Sequence, residues 1–473
     1  MQLKQQTRLA TARVTLLLTT PLWATNGYFM HGIGTKNKGM AGAGLAMPED
    51  AISVANNPAS ALSNTGKYDL GIAVFSPSRS YETTNSQANG QCSPMGCAFT
   101  IGPNDLDSDN KYFYIPNMAG AWEINDQSAW ALAFYGKGGM NTTWNGGTAT
   151  FDPTQTGQQV TTFPGTYGGG MAGGNGAAGV DLSQAYLEIT YARSAGENFT
   201  WGATLVGVMQ VFAARGLVAF SPYTETYASS IDPENPNSPP DFPQNLTNNG
   251  HDTSFGVGAK FGIKWDWTET VSFAAAYQFK IGMSKLDDYA DLFADQGNMD
   301  IPASLKAGLT FRPQESFALS FDIEKIWYND VVSVGNPFIN LFSCPTANNF
   351  ATRDTSYCLG GNRGAGFGWD DMMVYKVGAQ WNTSNDWTWR AGFSHGKQPI
   401  DSSEVMFNIL APGVIEDHLT FGFTRGLSSG DEFSVAVMYG FNKKVTGPNP
   451  FDPSQDISID MDQWEIEFSY GWR

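Results

Sequence analysis

The chain is 473 residues long, with a net charge of -18, only 15% charged residues, and 53 Gly, 14 Trp, 18 Tyr and 31 Phe. Acidity of this size argues against nucleic acid as a partner, and no run of about eighteen apolar residues exists to cross a bilayer as a helix. A mean hydropathy of -0.26 does not exclude membrane strands, because alternation averages their hydropathy away.

Residues 1–24 read as a secretory signal. Lys4, Arg8 and Arg13 form its basic region and residues 14–23 (VTLLLTTPLW) its apolar one. Leu22-Trp23-Ala24 approximates a small-residue cleavage site, which places the mature start at Thr25. An apolar run of roughly ten residues is too short for a membrane anchor.

Residues 25–65 are rich in small residues and do not alternate. Helical stretches are expected at 38–46 and 48–55, with Asn56-Asn57-Pro58-Ala59 as a turn. A Gly/Ala-rich surface lets backbones pack closely, which suits a plug inside a lumen. The GMAGAG run at 39–44 follows no strand and is not a phosphate loop.

From residue 66 to the C-terminus large and polar residues alternate, segment after segment. Period two puts the large ones on one face of a strand. Fourteen segments follow in order: 67–75, 112–124, 128–135, 185–192, 199–211, 255–266, 271–282, 301–312, 316–328, 372–382, 387–394, 418–427, 432–442 and 462–473. The last, DQWEIEFSYGWR, sets Trp464, Ile466, Phe468, Tyr470 and Trp472 on one side. Short turns (125–127, 193–198, 267–270, 313–315, 383–386, 428–431) alternate with long connections (76–111, 136–184, 212–254, 283–300, 329–371, 395–417, 443–461). Short turns on one side and long loops on the other describe an outer-membrane barrel. The fold class is therefore all-β: a 14-stranded antiparallel transmembrane β-barrel over 66–473, with a small N-terminal hatch at 25–65 plugging the lumen.

Register assigns the faces. In the seventh segment Val271, Phe273, Ala275, Tyr277, Phe279 and Ile281 face lipid, and Ser272, Ala274, Ala276, Gln278 and Lys280 face the lumen. Lys306, Arg312, Asp322, Glu324, Lys376 and Arg390 also point inward, as expected when a cation facing lipid at the midplane costs about 2–4 kcal/mol. Lys325 faces out near a strand end, where it can snorkel. The inward charges read as ion pairs or solvated lumenal groups; Lys280, Lys306 and Arg390 are candidate partners for a ligand carboxylate.

Cys92 and Cys97, and Cys344 and Cys358, form two close pairs in long connections, which reads as two local disulfides outside the cell. Neither pair has metal-site spacing. Asp105, Asp107 and Asp109 alternate like a calcium loop but lack its Gly and distal Glu. The Gly426–Gly430 run, GLSSG, falls in a short turn and not in a nucleophile elbow. The acidic segment 287–300, with Leu292 and Phe293, is a candidate lid over an apolar pocket or, less favoured, a cation site. No cofactor motif is present in the sequence.

The opening TNGYFMHGIGTKNKGMAGAG, the Asn57-Pro58-Ala59 element, the stretch IPASLKAGLTFRPQESFALSFDIEKIWYND and the segment IEDHLTFGFTRGL resemble the FadL/TodX family of outer-membrane transporters for hydrophobic compounds. The resemblance implies a fourteen-stranded barrel closed by an N-terminal hatch. It also implies passive uptake of long-chain fatty acids or similar compounds from an apolar pocket, through a lateral opening at a kinked third strand. Carried over by position, Asn57, Pro58 and Ala59 mark the hatch, and Tyr28, Phe29 and Met30 contact ligand. Gly136, Gly138 and Gly139, in the run Tyr135-Gly136-Lys137-Gly138-Gly139, form the kink, where glycine bends a ladder without steric cost. The expected setting is a monomer among outer-membrane lipid and lipopolysaccharide. Competing readings are a general diffusion porin, which needs no plug, and a barrel enzyme, which needs a Ser beside His395 or His418.

Overall fold

The computed structural model describes residues 26–473 apart from 94–95, 104, 233–234, 236–237, 349 and 384–385. The signal segment 1–24 and Thr25 lie outside the described residues. Among these residues a single 15-stranded sheet carries the architecture. Fourteen of its strands are β1 (Tyr68–Thr83), β2 (Phe113–Asn125), β3 (Ser128–Asn141), β4 (Gly179–Ser194), β5 (Phe199–Arg215), β6 (Asp252–Asp266) and β7 (Val271–Gln278), then β8 (Ser304–Gln314), β9 (Phe317–Ile326), β10 (Met372–Thr383), β11 (Trp387–Gly396), β12 (Asp417–Gly426), β13 (Glu432–Asn449) and β14 (Asp452–Trp472). Each pairs antiparallel with the next, and β14 returns to β1 with Trp472 opposite Tyr68. Closure removes the exposed edges an open sheet would present. The remaining strand, Asp105–Asp107, pairs only with the outer end of β1.

Strand identity and order follow the alternation, but several strands run further than expected. The connection expected at 443–461 is a correction: β13 and β14 continue through it, Asn449 pairs with Asp452, and only a tight hairpin joins them. Likewise β1 runs to Thr83 and β4 begins at Gly179. The reason is an inversion of polarity along each strand. Low on β14, Phe468, Tyr470 and Trp472 are exposed while Gln463, Glu465 and Glu467 are buried inside. Higher up the same inward register carries Ile457, Ile459 and Met461, all buried, and the outward one carries Ser458, Asp460 and Asp462. β1 repeats this: Leu70 and Ile72 face out below, and Ser76, Ser78 and Ser80 above. Below, the outer face meets lipid; above, it meets water and the inner face packs under the loops. A rule seeking large residues on one constant face stops where the solvent changes.

At β7 the departure is opposite. The strand ends at Gln278, so Lys280 is not lumenal: its side chain is 42% exposed and pairs with Asp300 at 3.2 Å. Ile281 does not face lipid but is buried, bridging Ile301 beneath the outer loops. Lys325 pairs with Asp371 at 2.7 Å.

Residues 26–66 pack inside the ring of strands, held by polar groups that the wall points inward. Asp69 on β1 accepts from the backbone N–H of Ala51 at 2.5 Å and of Ile52 at 3.1 Å, at the start of a 3-10 turn over Ala51–Ala55. Asp322 on β9 accepts from Leu45 N at 2.9 Å. Lys376 donates to His31 O at 2.8 Å, and Arg390 donates to Glu49 at 2.7 Å. Lys38 lies between Glu465, 2.7 Å away, and Glu467, 2.5 Å away. Wall glycines let the backbone come this close: a Cβ on Gly392 would sit 2.2 Å from the Met40 carbonyl carbon.

The helix expected at 38–46 does not form, and the one expected at 48–55 is a shorter 3-10 turn over Ala51–Ala55. Helical turns cover Thr35–Lys38, Ala51–Ala55 and Pro58–Asn64. Left-handed backbone at Ala41, Gly42 and Gly44 breaks the first expected helix. Asn57-Pro58-Ala59 is a helix start, not a free turn: the Asn57 carboxamide accepts from Ala59 N at 3.1 Å, with Pro58 at the first helical position.

The long connections fold over the outer mouth. The Cys344–Cys358 disulfide is fully buried there and closes a separation of 14 residues, worth about 3 kcal/mol in the chain-entropy picture. Cys92–Cys97 staples a small hairpin. Replacing Lys38 by Met would leave two buried carboxylates without their cation, at a cost of about 3–5 kcal/mol. The expected result is a lower temperature at which the purified barrel loses its compact mobility in gel electrophoresis; unchanged heat resistance would refute the ionic anchoring.

Candidate functional site

The barrel ladder is interrupted between β2 and β3. Their pairing runs from Asn125 and Ser128 up to Asn117 and Tyr135, and ends there. Above that point residues 113–116 of β2 stay with β1, and 136–141 of β3 stay with β4. The interval closes again at Asn110, whose amide donates to Asn141 Oδ1 at 2.9 Å. Over this interval the inner edge of β3 is taken up by the N-terminal segment. Phe29 bridges Gly138, Met30 N–H donates to Lys137 O, and Gly139 N–H donates to Tyr28 O, both at 3.0 Å. A strand edge needs partners for its N–H and C=O groups. Residues 28–30 supply them where β2 does not.

A bulge sits in the same place. Gln184 on β4 opposes Gly138 and Ala185 opposes Gly136, leaving Lys137 as the extra residue. The bulge aims Lys137 inward, where it is buried. Its ammonium donates to Gln278 Oε1 at 2.7 Å and lies 4.4 Å from the centre of the Phe29 ring and 5.5 Å from that of Tyr186. Gly138 is closely surrounded: a Cβ there would meet Gln184 Oε1 at 2.1 Å and Phe29 Cδ1 at 3.3 Å.

Tyr28 and Phe29 belong to an aromatic layer across the lumen. Their ring centres are 4.7 Å apart; Tyr28 lies 5.9 Å from Trp369, and Tyr328 lies 5.1 Å from Tyr28 and 5.3 Å from Trp369. Trp369 in turn contacts Phe367, at 6.3 Å, which lines a narrow apolar cavity of about 30 Å³ on the outer side. Val180, Phe212, Leu217, Phe220, Leu246, Leu292, Phe293, Phe407 and Leu410 also line it, contributed by strand ends and four outer connections. Ser333 is the polar side chain of the lining, and its hydroxyl has no hydrogen-bond partner among the described residues. Tyr28, Phe29 and Met30 are thus buried one aromatic layer below this cavity and do not line it. Leu292 and Phe293, from the acidic connection 287–300, do.

The cations singled out in the sequence are dispersed. Arg390 is engaged by Glu49 and Thr424, and Lys306 lies 3.5 Å from Glu324 and 3.3 Å from Asn56. His395 pairs with Asp417 at 2.7 Å at the outer rim. Ser394 lies 3.2 Å from His418, but both are buried in the wall beside His31. Tyr328, Trp369, Ser333 and Lys137 were not singled out. The first three sit in irregular connections where no periodicity marks the inward side; the fourth was legible only as the lone charge in a glycine run.

A model of the family described as outer membrane protein transport protein (OMPP1/FadL/TodX) matches residues 16–446. A long-chain fatty acid transport protein of Salmonella typhi is 22% identical over 468 residues, covering 94% of this chain and 95% of its own. Among solved structures, a Pseudomonas aeruginosa FadL homologue aligns with a TM-score of 0.59 at 15% identity over 94% of this chain and 99% of its own. The P. putida toluene transporter TodX aligns at 0.57 and 15% identity, over 93% and 98%. With a family match over nine-tenths of its length and the same closed barrel, the chain belongs to the OMPP1/FadL/TodX family of outer-membrane transport proteins.

Proposed function

We propose that this chain carries long-chain fatty acids or similar hydrophobic small molecules passively across the outer membrane. The observation that carries this reading is the interval where β2 and β3 do not pair and residues 28–30 cover the edge of β3. Cargo enters between the apolar walls of the outer cavity, which part to admit a molecule apolar over most of its surface. It passes the aromatic layer when residues 26–33 leave the β3 edge, and leaves sideways between β2 and β3 into the bilayer. Residues 26–66 act as a hatch that blocks the axial route, with the Asn57-capped turn docked to the Ile263 carbonyl on β6 at 3.1 Å. The acidic segment 287–300 acts as a lid through Leu292 and Phe293. The relatives support this cargo class: one is a long-chain fatty acid transport protein and another a toluene transporter.

Replacing Gly138 and Gly139 by Val puts the side chain at 138 against Gln184 and Phe29. Uptake of labelled oleate by cells is expected to fall to the level of cells lacking the protein, while the barrel still assembles; normal uptake would refute exit at this strand. Phe29→Cys with Gly138→Cys places two thiols on paired residues, within the reach of a disulfide. The oxidised pair should arrest uptake and a reductant restore it; uptake indifferent to the cross-link would rule out movement at this edge. In planar bilayers the protein should show no steady porin-like conductance, and a persistent open-channel current would favour an aqueous pore instead.

A further inference from the structure

The lipid-facing wall carries a groove of about 570 Å³ between β7 and β11, on the part of the ring opposite the interruption between β2 and β3. Its cause is in the register. One outward row across the wall reads Ala275, Ala307, Ile323, Tyr375, His395 and Asp417. The row one pleat nearer the periplasm carries larger side chains, Phe273, Phe321 and Phe393 among them. A methyl group among such neighbours leaves a furrow, with Ala307 and Gly308 at its floor and the exposed rings of Phe321 and Tyr375 beside it. Four inter-strand spacings make the row about 19 Å long, the scale of a stretched acyl chain. Hydrocarbon fills a furrow of this kind, because the apolar side chains that line it have no partner atoms until something apolar lies against them.

Toward the outer rim the groove ends in charge. His395 lines that end with its side chain half exposed, and pairs with Asp417 at 2.7 Å. Lys325 stands one pleat above Ile323 on β9 and pairs with Asp371, also at 2.7 Å. Partly exposed ion pairs of this kind contribute little to folding, so a better anion can share or displace the carboxylate. The ends of β9, β11 and β12 that carry Lys325, His395 and Asp417 are those joined by the long outer connections. A molecule seated here therefore has its head group in the outer leaflet, which in this membrane is built of lipopolysaccharide. We propose that the groove on β7 to β11 docks one lipopolysaccharide molecule. An acyl chain of its lipid A lies along Phe321, Ala307 and Ile323, and a phosphate of its glucosamine backbone accepts from the Lys325 ammonium beside His395. This site is separate from the path of the cargo and holds whether or not that path is as described above.

The test titrates the delipidated barrel in detergent with deep-rough lipopolysaccharide and, separately, with phosphatidylglycerol, and reads bound lipid by native mass spectrometry. The wild type is compared with Ala307→Trp, which fills the groove, with Lys325→Gln, and with Ala203→Trp on the exposed face of β5, away from it. The wild type and Ala203→Trp are expected to hold one lipopolysaccharide more tightly than phosphatidylglycerol. Ala307→Trp should weaken lipopolysaccharide about tenfold or more and Lys325→Gln about fivefold. Compact mobility before heating in gel electrophoresis reports that each variant is folded, and oleate uptake by cells should be unchanged in all three. Full retention of lipopolysaccharide by Ala307→Trp or Lys325→Gln, an equal loss in Ala203→Trp, or equal affinity of the wild type for both lipids overturns the assignment.

Discussion

Every outward residue of a closed barrel must match the medium it meets, and this constraint organises the molecule. Where lipid surrounds the wall, the outer register is Leu, Ile, Phe, Tyr and Trp, and the inner register is left to polar groups. Where water surrounds the wall the two registers exchange character, as Ile457, Ile459 and Met461 turn inward on β14. The inverted upper parts of β1, β4, β13 and β14 then make an apolar seat on which the outer connections fold. The apolar cavity lies in that upper region, above a lumen that lower down is lined by Glu, Lys and Gln.

A polar lumen also decides how the N-terminal segment is held. Apolar packing alone could not fix it there, because the wall offers Asp69, Glu188, Asp322, Glu324, Lys376, Arg390, Glu465 and Glu467. The segment answers with Lys36, Lys38 and Glu49 and with backbone groups at Ala51, Leu45 and His31. Buried pairs of this kind contribute little net stability against an apolar alternative, yet breaking one partner is costly. They specify position. Only near Tyr28 and Phe29 does the segment become mainly aromatic, and that is where it meets the interruption between β2 and β3.

That interruption joins two requirements. Unpaired backbone on β3 needs a partner, and the bulge at Lys137 turns a cation into a region of low dielectric. Both are met by the same three residues, through main-chain bonds from 28–30 and the ring of Phe29.

Much of this was legible in the residue order. Period-two alternation and alternating loop length are local properties, so they yielded fourteen strands, their order, the inward charges and the two cysteine pairs. The glycine run 136–139 marked the bulge because only a local break in periodicity was needed to see it. Alternation does not mark strand ends where polarity inverts, as at 443–461, nor does it show that Lys280 lies outside the lumen, because the end of β7 is set by its neighbours and not by its own sequence. The pairing of Phe29 with Gly138, the aromatic layer with Tyr328 and Trp369, the lining of the outer cavity and the surroundings of Lys137 bring together residues up to hundreds of positions apart. Sequence alone determined which face each strand shows to lipid, since that is fixed residue by residue through transfer from water. Only the tertiary structure decided what covers the open edge of β3 and which groups surround Lys137, since both depend on what the closed ring brings within a few ångströms.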